Sequence, residues 1–475
     1  MKAGGNVGPM IEDFLPQDIG EIFEKIITKS PSRTYLELRF LNRVSQTLLF
    51  QDGRLEDAMN TESSGVGVRV LCDGAWGFSP TFKLAYESVL DAVKTAIRLA
   101  KLVAETEAKK VVLAPTKSVT ENFIAKELET ASKIALEEKI SIMKTCESIV
   151  LDGGPKVQSC SVFLREPKET KVIYTSEGTK ATIRYSKPDF YISTVAKDGI
   201  EHISHTESVG GCGGWEILGG RTFQDIAVDC RELALRLLKA ERAPSGTHSV
   251  ILDPAMAGLL AHEAIGHLVE SDFVLSGSFF QGKLGTRVAS DLVSLKDSGS
   301  EQGAGWCPVD DERVRGIPVP IIQNGILSGY LHNRASAYDM NQSPTGNSRA
   351  YSYDDQPLIR MRNTYFLPGT WKRGEMIEDV QSGVLLSGDG EGSADSNSEF
   401  MFTCHIPFRI KNGEIASLLR PCSISGLTSD VLQSVDAVAN DNWRLAIGNG
   451  YCEKIQPIKV DGGGPSIRAV AQVRS

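Results

Sequence analysis

Within the segment Ala255–Phe273, AMAGLLAHEAIGHLVESDF, two histidines stand five positions apart, with a glutamate directly after the first. The apolar spacing around them calls for a helix, and Pro254 suits the first turn of one. On a regular α-helix, five positions rotate the second side chain roughly 140° away from the first. Two imidazoles so separated cannot hold one ion. A local turn with i→i+5 hydrogen bonds widens the helix and returns both rings to one side. Gly266, directly before the second histidine, is the expected place for that departure. The spacing therefore predicts a distorted helix inside whatever fold surrounds it.

The chemistry that would require such a distortion is metal binding. The familiar zinc-peptidase motif places its histidines four apart on one helix face with a glutamate between them; His262, Glu263 and His267 form a longer HExxxH version. A catalytic zinc site has three protein ligands and one open position for water, so a third ligand must come from elsewhere. Glu270, Asp272, Cys404, His405, Cys422 and Cys452 are candidates. Cys452 lies in Asn449-Gly450-Tyr451-Cys452, where glycine leaves room for a thiolate to approach. Glu263, beside the first ligand, is the candidate general base. The bland alternative is one core histidine, one surface histidine and a cysteine that merely fills space. The residues alone leave the third ligand open.

The chain has 475 residues, more than one hydrophobic core usually holds, so two domains are expected. Six glycines between Ser208 and Gly220 mark a linker or active-site loop and give the division 1–220 and 221–475. In the first part, helices are expected over Gln17–Ser30, Lys83–Glu105 and Thr120–Glu138. Strand alternation is expected over Thr34–Gln51 and Ser148–Ile200, with a hairpin turning at Asp73-Gly74. The second part reads as mainly strands around the HExxxH helix, with turns at Asn324-Gly325 and Asn412-Gly413. The expected fold class is α+β, an N-terminal mixed sheet with packed helices and a C-terminal β-rich domain. The first fifteen residues read as a loose tail.

Charge and cysteine usage narrow the function. A net charge of -9 without a long Lys/Arg run argues against a nucleic-acid groove. No stretch approaches the length of apolar sequence needed to span a membrane. The start, MKAGGNVGPMIEDFLPQDIG, lacks the order of a secretory signal. Nine scattered cysteines without a CxxC pair suit reduced thiols, and a cytoplasmic location is expected.

Beyond the helix, several blocks in a fixed order carry a resemblance: GVGVRVL, LLAHEAIGHLVESDF, VASDLVSLKD, VDDERVRG, IIQNGILSGYL, SPTGNSRAYSY and MRNTYFLPG. Together they resemble the TldD/PmbA family of peptidases, in its catalytic TldD-like branch. The resemblance implies that His262, His267 and a cysteine near the carboxyl end ligate one zinc ion. The family's cysteine lies in a Gly-x-Cys-Gly-Lys block, and Gly450-Tyr451-Cys452-Glu453-Lys454 aligns with it, which selects Cys452. Glu453 replaces the usual glycine there, and Ile455-Gln456-Pro457 departs from the family's glycine-glutamine continuation. The resemblance also implies two mixed domains and a dimer enclosing a cavity, made with itself or with a non-catalytic TldE/PmbA-like homologue.

On this reading Glu263 is the base in hydrolysis of short or unfolded peptides. Peptide is expected to bind as a strand added to a sheet edge. Asp272 is a candidate acceptor for a histidine N–H, and Asn347 and Arg349 are candidate substrate contacts, although a polar turn explains them nearly as well. Two other functions use the same residues. One is a non-catalytic peptide-binding or assembly subunit with a closed structural metal site. The other is a cysteine hydrolase with Cys452 as nucleophile.

Overall fold

The computed structural model describes residues 16, 18–30, 34–127, 133–388 and 390–475. The expected loose tail over the first fifteen residues lies outside them. The fold is α+β, with one large sheet in the first half and two in the second.

The first half opens with helix α1 (Ile19–Thr28), strands β1 (Tyr35–Gln51), β2 (Arg54–Cys72) and β3 (Ala75–Thr81), and helix α2 (Tyr86–Thr106). It continues through strand β4 (Thr120–Ile124), helix α3 (Leu136–Leu151), strands β5 (Val157–Thr175), β6 (Lys180–Ser186), β7 (Asp189–Asp198) and β8 (Glu201–Gly210), and helix α4 (Phe223–Leu238). The strands join in the order β3-β2-β1-β5-β6-β4, while β7 pairs with β5 and β8. The β2–β3 turn falls on Asp73-Gly74, both at positive φ, as a two-residue hairpin turn needs.

Strand β1 is buried on both faces over Tyr35–Asn42 and alternates only from Arg43 onward. Its even-numbered apolar residues Leu36, Leu38 and Phe40 pack with α1 and α2. Its polar face meets the second half, where the Arg39 guanidinium donates to the Ser352 carbonyl at 3.1 Å. Nearby, Arg69 of β2 pairs with Glu312 at 2.6 Å. Buried pairs of this kind add little net stability, because desolvating two charges offsets their attraction. They favour one register of the two halves over others, since a shifted partner would leave a charge alone.

One expectation fails here. Thr120–Glu138 does not form one helix: Thr120–Ile124 is a strand running parallel to β6, and the helix begins at Leu136. Thr120, Phe123 and Ile124 are strand-prone types, and an open sheet edge was available to them. The intervening residues 128–132 lie outside the described set. The expected strand pattern from Ser148 likewise starts later, because α3 runs to Leu151. Helix α4 packs on β7, β8 and α3, so the residues just after Gly220 sit with the first sheet.

The second half begins with strand β9 (Gly246–Leu252) and helix α5 (Pro254–Leu259). Strand β9 lies inside a nine-stranded sheet, between Ile467–Arg474 and Ser382–Ser387. A second, six-stranded sheet holds Leu295–Ser298, Val319–Gln323, Asn363–Phe366 and Asp461–Gly464. The apolar residues Met256, Leu260, Ala264, Ile265, Leu268 and Val269 belong to one core with Val250 and Leu386 of the larger sheet and Leu295, Ile322 and Phe366 of the smaller. Each such apolar side chain contributes roughly 1.5–3 kcal/mol when fully buried, so the helix carrying the histidines is anchored from both sides.

Candidate metal centre

Helix α5 starts where the sequence predicts. The Asp253 carboxylate accepts hydrogen bonds from the backbone N–H groups of Ala255 and Met256, both at 3.0 Å, and Pro254 occupies the first turn. At Gly258 the helix lies directly on the backbone of the smaller sheet; a Cβ there would come within 2.5 Å of the Gly463 nitrogen. The glycine-rich stretch near the carboxyl end thus lets a helix and a strand touch without side chains between them.

From Leu260 to Gly266 the helix is a π-helix, and the N–H of His267 donates to the carbonyl of His262, five residues back. A short 3₁₀ turn, His267–Val269, follows. The predicted widening is present, and it brings the ring centroids of His262 and His267 to 4.9 Å. Gly266 closes the widened turn, where the departure was expected, and its lack of a side chain has a further reason. Its φ of -56° is ordinary for a helix; what excludes a side chain is Met361, whose sulfur would lie 1.9 Å from a Cβ.

The sulfur arrives from a hairpin, Tyr451–Lys454 paired with Gln456–Lys459, in which Cys452 faces Ile458. The buried Arg360 guanidinium donates to the carbonyls of Cys452 and Gln456, the latter at 2.6 Å, and fixes the hairpin. The loop before it is moored to the first half. Asn449 donates to the Ser208 hydroxyl at 2.6 Å, and its carbonyl accepts from the Tyr191 hydroxyl at 3.2 Å. Gly448 and Gly210 meet backbone to backbone, with 2.0 Å between a Cβ on Gly448 and the Gly210 oxygen. The two glycine clusters of the sequence are therefore one contact, set beside the site.

His262, His267 and Cys452 each offer a donor atom, all within 4.8 Å of one another. The Cys452 sulfur is 3.3 Å from Nε2 of His267. Tetrahedral zinc bonds of ordinary length place an imidazole nitrogen and a thiolate about 3.5 Å apart, so this pair has the spacing of two ligands of one ion. Nδ1 of His262 is buried with no hydrogen-bond partner among the described residues. A thiolate with two imidazoles suits a borderline-soft divalent ion. The donor set fits zinc.

The charges around the cluster agree with that chemistry. Burial pushes the Cys452 thiol up, but His262 and His267 outweigh it and hold the thiol down at about 4. Burial also opposes charge on His267, yet Cys452 and Glu270 raise it well above the ordinary histidine value. Nδ1 of His267 lies 3.4 Å from Glu270, which is fully buried and also accepts from the Lys454 ammonium at 2.8 Å. Despite that burial, His267 and Lys454 hold the Glu270 carboxyl below its usual range.

The histidine is thus oriented by Glu270 and not by Asp272, which instead pairs with Lys454 at 2.7 Å. The helix breaks at Glu270, with ψ 123°, and its carboxylate lies against the His267 ring. Asp272, one position into the next helix, is 43% exposed. From the sequence Glu270 is a candidate only as a ligand and Lys454 has no role; the signal for Lys454 is its place in the Gly-x-Cys-x-Lys block.

Cys404 and Cys422 face each other across two strands of the larger sheet and stay within its core. His405 lines a cavity of about 440 Å³ that also exposes His262 and Glu263, with Tyr191, Thr206 and Glu391 on its walls. Glu263 is partly exposed there, its carboxylate 3.9 Å from Nε2 of His267. The Asn347 amide is buried and donates to Asp297 and to the Arg360 carbonyl at 2.8 and 2.9 Å. Arg349 lines a different cavity and binds main-chain oxygens of Met361 and Lys459.

Three domain models of one family match in order: domain 1 over residues 36–100, the central domain over 129–238 and the C-terminal domain over 245–473. A metalloprotease of Methanocaldococcus jannaschii is 34% identical over 443 residues, covering 92% of this chain and 96% of its own length. A protein of Saccharolobus solfataricus named a zinc metalloprotease TldD homolog is 30% identical over 407 residues, covering 85% and 88%. Among solved structures, one from Thermotoga maritima, described as a candidate modulator of a DNA gyrase, has a TM-score of 0.77 at 21% identity, covering 96% of this chain and 99% of that one. At that identity the likeness concerns the fold.

Fold and relatives together define a protein of metallopeptidase architecture. The chain belongs to the PmbA/TldA metallopeptidase family.

Among the described residues no helix is long and apolar enough to cross a membrane, a statement that does not bear on β-barrels.

Proposed function

We propose that this chain is a zinc-dependent peptidase of short or unfolded peptides, with His262, His267 and Cys452 as metal ligands and Glu263 as general base. The observation that carries the reading is the three-donor cluster with a carboxylate beside it at the wall of a cavity. When bound, zinc supplies Lewis acidity and makes a water molecule easier to deprotonate.

The chain's own residues do the rest. Glu263 accepts a proton from the attacking water and delivers it to the leaving amine nitrogen. Glu270 holds the His267 ring by Nδ1 so that Nε2 faces the metal position, and Lys454 holds Glu270. Tyr191, Thr206 and His405 offer polar groups to a peptide in the cavity.

A cysteine hydrolase would use the same Cys452–His267 contact, but Cys452 is only 4% exposed and does not line the cavity, whereas Glu263 and His262 do. A closed structural site needs a fourth protein ligand, and among the described residues the cluster holds three. The functional unit is a dimer, with a second copy or a non-catalytic TldE/PmbA-like homologue, acting in the cytoplasm on peptides and not on nucleic acid. Mass measurement of the purified assembly, with and without a co-expressed homologue, tests the partner.

The activity is tested on short unstructured peptides. Stripping metal with a chelator should abolish cleavage, and zinc should restore it; full cleavage by verified metal-free protein would overturn the reading.

A further inference from the structure

A second cavity, of about 250 Å³, shares a wall with the first: Tyr451, the residue before Cys452, lines both. Six cations face it. Arg43, Arg165 and Lys171 reach it from β1 and β5, Lys187 from just beyond β6, and Arg349 and Lys459 from the second half.

Three carboxylates answer these six. Glu169 pairs with Arg43 at 2.9 Å and Asp311 with Lys171 at 2.7 Å, while Arg165 and Lys459 share Asp189. Among the described residues, Lys187 and Arg349 have no carboxylate at ion-pairing distance. Lys187, 5% exposed, donates to the Trp306 carbonyl at 3.2 Å and lies 4.5 Å from the Tyr185 ring centroid. Arg349, 8% exposed, donates only to carbonyls. Burying two cations without a counter-charge is costly unless an anion joins them. Burial, reinforced by the Arg349 charge, lowers the Lys187 ammonium to about 8, as expected of a lysine without a counter-ion.

We propose that this cavity binds a carboxylate of a peptide substrate, either its C-terminus or an acidic side chain, while another part of the same peptide occupies the metal-centre cavity across Tyr451. The proposal rests on the peptidase reading above. A carboxylate is the ligand that charge-assisted bonds from a guanidinium and an ammonium recognise, and Tyr185, Trp306 and Tyr351 add apolar wall for the adjoining residue.

The test measures binding without turnover, by calorimetry on the zinc-loaded full chain carrying Glu263→Gln. Three peptides of one core sequence are compared: a free acid, its neutral C-terminal amide, and an amide carrying one internal glutamate. At least one carboxylate-bearing peptide should bind roughly tenfold tighter than the neutral amide. Lys187→Met should erase that gain, and Lys187→Arg should keep it. A gain for the free acid alone assigns the terminus, and a gain for the glutamate peptide alone assigns the side chain. Equal binding of all three, or a gain that survives Lys187→Met, overturns the proposal. If thermal unfolding shows Lys187→Met to be misfolded, the three-peptide comparison decides alone. Failure of the wild-type chain to cleave any of them would count against the peptidase reading and leave the carboxylate preference to be judged on its own.

Discussion

The sulfur of Cys452 lies 3.3 Å from Nε2 of His267, although 185 positions separate the two residues in the chain. The contact joins a widened helix turn to a hairpin that Arg360 clamps from below. Each partner changes the other: the imidazole favours the thiolate and the thiolate favours the imidazolium. A divalent ion entering this cluster would displace the ring proton, so uptake should release protons.

The proposed base and a proposed ligand should separate cleanly. Glu263→Gln is expected to bind zinc in wild-type amount while kcat for peptide cleavage falls about 100-fold or more. His262→Ala should lose both metal and activity. Metal analysis alongside cleavage assays reads both; wild-type turnover in Glu263→Gln would remove it as the base.

Glu270 acts through His267, so its effect should appear in metal affinity. Glu270→Gln removes the charge between the imidazole and Lys454 and should weaken zinc binding about 10–100-fold. Competition with a chelator of known affinity measures this. An unchanged affinity with a lowered unfolding temperature would reduce Glu270 to a structural ion pair.

Ile455, at the tip of the hairpin, has φ 67° and is 95% exposed. A left-handed backbone costs an L-residue roughly 1–2 kcal/mol, and β-branching worsens it. Glycine relieves this strain but loses more freedom on folding, so Ile455→Gly should gain about 0.5–1 kcal/mol in chemical denaturation. Zinc affinity should stay the same or tighten. A destabilised Ile455→Gly protein would show that the side chain makes contacts that outweigh the strain.

Burial drives the Glu37 carboxyl up to about 7, although Arg69 and Arg39 pull it down. In an unfolded chain a glutamate titrates at about pH 4.3. The folded protein therefore holds a proton that the unfolded chain has lost, and stability should fall as pH rises through that window. The shift corresponds to roughly 3–4 kcal/mol. Denaturant unfolding followed from acid to neutral pH should show this decline, and Glu37→Gln should flatten it.

Local chemistry was readable from the sequence wherever it depends on near neighbours. The five-residue spacing of His262 and His267 required a π-turn because helix geometry leaves no other way to bring the rings together. The N-terminal proline of α5 and the Asp73-Gly74 turn followed from backbone restrictions of single residues. The family blocks selected Cys452, but neither composition nor spacing chose it over Cys404 or Cys422. What lay beyond reach depends on which distant surfaces meet. Thr120–Ile124 became a strand because β6 offered an edge, Gly266 is small because Met361 packs on it, and Glu270 rather than Asp272 orients His267 because of where the helix breaks. Such choices are made by packing and by burial of charge, whose energies exist only once both partners are in place.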